Sequence, residues 1–191
     1  MAGIDRGLFG VVGVALLMPT TAVVAAEYLS VDAAQRAVFP DADTFDPVML
    51  ALGRAQKTQI VELAGPQPPH GTLRVWRATR GGSTLGYVFV DEVLGRSDLI
   101  TYATGIDTEG TLRTIEILAY RESHGAEIRN AAWRRQFANK RDLAQLQFHT
   151  DIKNISGATL SSEHVTQGVR WLLALWQIAL RSAPPAAEQI N

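Results

Sequence analysis

The 191-residue chain contains no cysteine. That absence excludes thiol nucleophiles, disulfide staples, iron–sulfur ligation and the Cys-x-x-Cys-His attachment of c-type haem, so any redox role falls to an organic cofactor. Histidine is scarce: His70, His124, His149 and His164 are scattered without ligand spacing, and no metal site is expected. Positive charge is not in surplus, with 18 Lys and Arg against 19 Asp and Glu. Without a basic cluster interleaved with aromatics, nucleic acid is not expected as a partner. There is no Gly-x-Gly-x-x-Gly and no Walker lysine. "GGSTLG" at 81–86 has Leu85 in place of the second glycine of a Gly-x-Ser-x-Gly elbow, and it falls where a hairpin turn is expected. With no recognisable base and acid partners, a serine hydrolase is set aside and no catalytic residue is assigned.

What is present describes a globular chain with one core, 47% hydrophobic and 19% charged. The first 26 residues differ from the rest. After Arg6 comes "GLFGVVGVALLMPTTAVVAA", with small residues at Val24 and Ala26 that suit a signal-peptidase cut before Glu27. The same stretch is long enough to cross a bilayer, so a retained N-terminal anchor is the alternative, weakened by Pro19 and two threonines. Both readings put the remaining chain on the periplasmic, extracytoplasmic face of the inner membrane.

Over the mature chain, Ser30 or Asp32 caps a helix in which Val31, Ala34 and Val38 recur at helical spacing and which Pro40 ends. Residues 47–63 hold a short helix or a strand, and "AGPQPPHG" at 64–71 is a connector. The period then switches to two. Leu73 and Val75 begin a strand, "RGG" at 80–82 turns into "TLGYVFV", and "LITYATGI" and "TLRTIEILAYRE" flank the "DTEG" turn at 107–110. Four strands joined by short turns predict an antiparallel sheet. The last element, "SSEHVTQGVRWLLALWQIALR", aligns Val165, Val169, Leu172, Leu173, Trp176 and Leu180 on one stripe and Trp171, Leu175 and Ile178 on another. It is either a deeply buried helix or one that also meets a partner or a membrane surface. The fold class is α+β, a single domain over 27–181 with helices flanking the sheet and a frayed tail at 182–191.

Just before that helix, "NISGATLSS" at 154–162 crowds hydroxyls around a Gly-Ala pair. Ser161 or Ser162 serves as an ordinary cap. Thr159 is different: Gly157 and Ala158 leave its approach uncluttered, and the unpaired N–H groups and dipole of a helix start favour an anion, usually phosphate.

"SGATLSS" resembles the flavinylation motif Asp-x-x-Ser/Thr-Gly-Ala-Thr/Ser-x-Ser/Thr of the FMN-binding domain family, which includes a covalent-flavin subunit of the sodium-pumping quinone reductase and its counterpart in the Rnf complex. "ATGIDTEGTLRTIEILAYRESHGAEI" is similar to the family's strand, Asp-x-x-Gly turn and strand followed by a Glu-Thr-Pro-Gly-like loop, here Glu122, Ser123, His124 and Gly125. "FPDAD" at 39–43 also looks like early sequence of compact members. The resemblance covers residues 73 to about 170 well and 27–72 loosely. It departs at Lys153, where the motif has Asp, with Asp151 two residues earlier, and at Ser123-His124, where the family often has Thr-Pro.

The resemblance implies FMN held covalently by a phosphoester to Thr159, placed there from FAD by a flavin transferase. Ser156, Gly157, Ala158 and Ser161 would shape the attachment turn. Glu122 and Ser123 would pack near the flavin, and His124 either touches it or is an ordinary surface histidine. Tyr102 and Trp133 are either ring neighbours or core. The implied function is an exported electron-transfer flavoprotein linking a membrane redox protein or complex to an extracytoplasmic acceptor. The alternative is an exported non-redox binding or assembly module of the same fold that has lost the flavin.

Overall fold

The computed structural model describes residues 26–122 and 124–181. The sheet has six strands in the order β1-β6-β5-β4-β3-β2, every neighbouring pair antiparallel. In chain order the elements are β1 (Ala26–Glu27), α1 (Val31–Val38), β2 (Thr44–Pro47), α2 (Arg54–Ala64), β3 (Arg74–Arg80), β4 (Ser83–Leu94), β5 (Leu99–Asp107), β6 (Leu112–Tyr120), the short α3 (Ala131–Arg134) and α4 (Thr159–Leu175). Three 3-10 turns lie between β6 and α4, and α4 runs on into a π-helical turn at Trp176–Leu180. The expected α+β antiparallel architecture is therefore present, with two edge strands added.

Ser30 is the N-cap of α1, accepting from the Ala33 N–H at 3.2 Å, and the helix stops at Val38, two residues before Pro40. The uncertain stretch 47–63 divides: Pro47 closes β2, an edge strand that tolerates a residue without an N–H, and the rest leads into α2. Neither β1 nor β2 follows from sequence pattern. β1 is two residues long, and β2 is polar and largely exposed.

The central strands are buried on both faces, which is why they read as nearly continuous apolar runs. Val88 and Val90 of β4 face α1, with Val38, Ala34, Ala103 and Leu118 around them. Phe89 and Val93 face the other way into the main core, with Tyr102, Ile115, Val165, Val169 and Leu172. A Cβ on Gly105 would stand 2.1 Å from Val38 Cγ1, so this glycine lets α1 lie against β5. The "DTEG" turn is as expected: Asp107 Oδ1 accepts from the N–H groups of Glu109 and Thr111 at 3.0 and 2.8 Å. Gly110 takes φ 88° there beneath the Trp176 ring.

Of the two readings of the last helix, burial decides. Both stripes are covered, with Trp171 8% and Trp176 3% exposed, and Ile178 alone is half-buried. No helix among the described residues is long and apolar enough to cross a membrane. The stretch 1–25 and the tail 182–191 lie outside the described residues.

Candidate functional site

A cavity of about 650 Å³ opens at the N-terminal end of α4, within the size range of small-molecule sites. Three segments distant in sequence wall it. The β4–β5 turn brings Arg96 and Ser97, the segment after β6 brings Glu122 and His124, and the start of α4 brings residues 157–161. The topology makes the meeting: β4, β5 and β6 are adjacent and antiparallel, so the β4–β5 turn and the exit of β6 share one end of the sheet. α4 packs across β4 and β5 with its start at that same end.

Thr159 is the first residue of α4 and is exposed. The helix has no side-chain cap: its N-cap is Ala158, which is buried. The expectation that Ser161 or Ser162 caps it is thereby corrected. Both lie inside the first turn, where a hydroxyl cannot reach forward to the orphan N–H groups. Ser161 is buried and shares a 3.1 Å hydrogen bond with the Tyr120 hydroxyl, while Ser162 Oγ donates back to the carbonyls of Ala158 and Thr159. This helix start, without a side-chain cap from Ala158, forms part of the cavity wall, an arrangement that favours an anion. Gly157, at φ 83°, turns the chain into the helix with nothing within 4 Å of where a Cβ would be, so the approach to Thr159 is open. The Asn154 side-chain amide is 3.4 Å from Thr159 Oγ1.

Tyr120 ties the walls together. Its hydroxyl donates to the His124 carbonyl and meets Ser161 Oγ. Burial pushes its titration above the ordinary 10.0, with the Ser161 bond pulling the other way, so the phenol stays protonated and able to donate. A Cβ on Gly125 would strike that hydroxyl at 2.5 Å, which explains the glycine of the loop and its φ of 90°. Glu122 faces inward to the turn: its Oε1 accepts from the N–H groups of Ser97 and Asp98 at 2.7 and 3.0 Å. Burial raises its pKa, but these backbone bonds and the Arg96 charge outweigh it and hold the carboxyl below its usual 4.5.

Of the residues expected at the site, Gly157, Ala158, Thr159, Ser161, Glu122 and His124 line the cavity together. Ser156 stands exposed in the turn ahead of it and is not part of the wall, and Ser123 lies outside the described residues. Tyr102 and Trp133 are core. Tyr102 is fully buried and donates to Asp91 Oδ2 at 2.8 Å, and the Trp133 indole N–H donates to the Lys153 carbonyl. Lys153 is also structural: its ammonium reaches the carbonyls of Thr150 and His149 at 3.1 and 3.4 Å, and its N–H donates to Gln136 Oε1. Asp151 does not stand in for the missing motif carboxylate, since its Oδ2 accepts from the Gln147 N–H in its own turn.

Arg96, Ser97 and Leu160 were missed from sequence. No motif marks the first two, and Leu160 reads as one more apolar helix residue until its 46% exposure is seen. With a cation, an exposed apolar side chain, an uncapped helix start and an open hydroxyl, the wall suits a ligand that is both phosphorylated and aromatic.

Residues 95–174 match the family described as the FMN-binding domain. The matched span takes in every residue that lines the cavity. Over 154 residues the chain is 25% identical to one subunit of a Na(+)-translocating ferredoxin:NAD(+) oxidoreductase complex from Acetobacterium woodii, an alignment covering 75% of this chain and 72% of that protein.

Proposed function

Residues 95–174 match the FMN-binding domain family, and from that premise we propose that the chain is an exported electron-transfer flavoprotein carrying FMN on Thr159. The observation that carries the reading is the position of Thr159: an exposed hydroxyl at an uncapped helix N-terminus, on the wall of the cavity the matched span encloses. The Thr159 oxygen would exchange its proton for the FMN phosphoryl group of FAD, with AMP leaving, in a reaction performed by a separate flavin transferase. The chain's own contribution is to present the oxygen, to neutralise the phosphate with the N–H groups of the first turn, and to hold the ring beside Leu160 and Arg96. Bound flavin would supply one- and two-electron transfer.

Membrane association also has geometric support. Ala26 pairs with Tyr120, the residue whose hydroxyl joins the cavity walls, so the apolar N-terminal stretch would join the domain beside the flavin. An anchor there keeps the flavin close to a membrane redox partner, in line with the similarity to a component of an oxidoreductase complex. A cut before Glu27 would instead remove Ala26 from its pairing with β6. Covalent attachment suits an extracytoplasmic site, where a lost cofactor is hard to recover.

Co-expression with a flavin transferase, followed by denaturing electrophoresis under ultraviolet light, tests attachment. A fluorescent band is expected for the native chain and a dark one for Thr159→Ala. A dark native band would favour the module that has lost its flavin, and fluorescence surviving Thr159→Ala would move the anchor elsewhere.

A further inference from the structure

The resemblance places Glu122 near the flavin, but its carboxylate is occupied by the chain itself. Oε1 takes two backbone N–H groups from the β4–β5 turn, and the Arg96 N–H also faces the carboxylate. A Cβ on Gly95 would stand 2.5 Å from that same oxygen, so the turn is wrapped around it. What the turn offers the cavity is Arg96. This residue is exposed and lines the wall, and among the described residues its guanidinium forms no hydrogen bond or ion pair. Glu122 attracts it electrostatically, yet that carboxylate is already held by backbone donors.

Resting on the FMN reading above, we propose that Arg96 is the cation that faces the flavin ring in this cavity and sets how readily the ring is reduced. Reduction by two electrons from a chemical reductant, with one proton taken from water, leaves added negative charge on the ring. A guanidinium reaching the ring from the cavity wall favours that charge by Coulomb attraction. Arginine suits this place better than lysine alone would, because its planar fork can bond the ring's carbonyl edge while keeping its charge at every working pH.

The test is a spectroelectrochemical titration of the full chain carrying flavin from a co-expressed transferase. Arg96→Gln is expected to disfavour the reduced form about tenfold, a fall of about 30 mV for a two-electron couple. Arg96→Glu should fall further, and Arg96→Lys should keep most of the native value. Native potentials in both Arg96→Gln and Arg96→Glu would overturn this inference alone. If the neutral variant carries no flavin, loading retained in Arg96→Lys but lost in Arg96→Met supports the contact, and loading lost from all three variants overturns it in favour of a folding role. Absence of flavin from the native chain would overturn the proposed function, and this inference with it.

Discussion

Asp91 sits beneath α4, 2% exposed, with one oxygen bonded to the Tyr102 hydroxyl and the other without a partner among the described residues. Burial lifts its pKa from the ordinary 3.8 to about 6, against the pull of the Tyr102 bond. A folded-state value above the unfolded one means that folding takes up a proton. The associated stability is fully present below the unfolded value and is lost as pH rises from about 4 through about 6. Asp91→Asn removes this titration, so its loss of melting temperature between pH 4 and pH 7 should be smaller than the native chain's, by an amount corresponding to roughly 3 kcal/mol at most. Equal pH slopes in thermal melts would contradict the assignment. At this scale sequence served unevenly. Thr159 was legible because Gly-Ala and a helix start are local signals. Arg96 was not, because the turn "GRSD" carries no motif and meets Thr159 only after the chain has returned through β5 and β6.

α4 lies close against the sheet, and at Gly168 there is no room for a side chain between helix and strands. In an exposed helix Gly→Ala stabilises by about 1 kcal/mol. Here the added Cβ would stand 2.4 Å from the Tyr102 hydroxyl, itself fully buried and tied to Asp91, so neither group can give way cheaply. Gly168→Ala should therefore destabilise by about 1–3 kcal/mol, the usual cost of overpacking, in urea unfolding of the full chain. A stabilised variant would show that the helix rides further from the sheet. Hydrophobic period revealed α4, β3, β4, β5 and β6, because each carries a long apolar face. It failed for β1, two residues astride the expected leader cut, and for β2, whose "TFDP" sets only Phe45 against the core and is otherwise exposed and paired with β3. The capping serines were misplaced for a related reason: hydroxyls cluster in the first turn of α4 to bond Tyr120 and preceding carbonyls, a use that only the packed structure distinguishes from capping.

For the whole molecule, the sheet end that holds the cavity is also the end where β1 joins β6. If the apolar stretch before β1 directs export, a reporter enzyme active only outside the cytoplasm, fused after Asn191, should be active on the full chain and inactive once residues 1–26 are deleted. Activity without those residues would separate export from that stretch. The central claim is that the hydroxyl of Thr159 is the flavin anchor of this domain. Tandem mass spectrometry of proteolytic peptides from the full chain, purified after co-expression with a flavin transferase, tests it most directly. The peptide spanning Thr159 should carry the mass of FMN less one water, with fragment ions placing the addition on Thr159. An unmodified Thr159 peptide, or the same addition on another residue, would contradict the account.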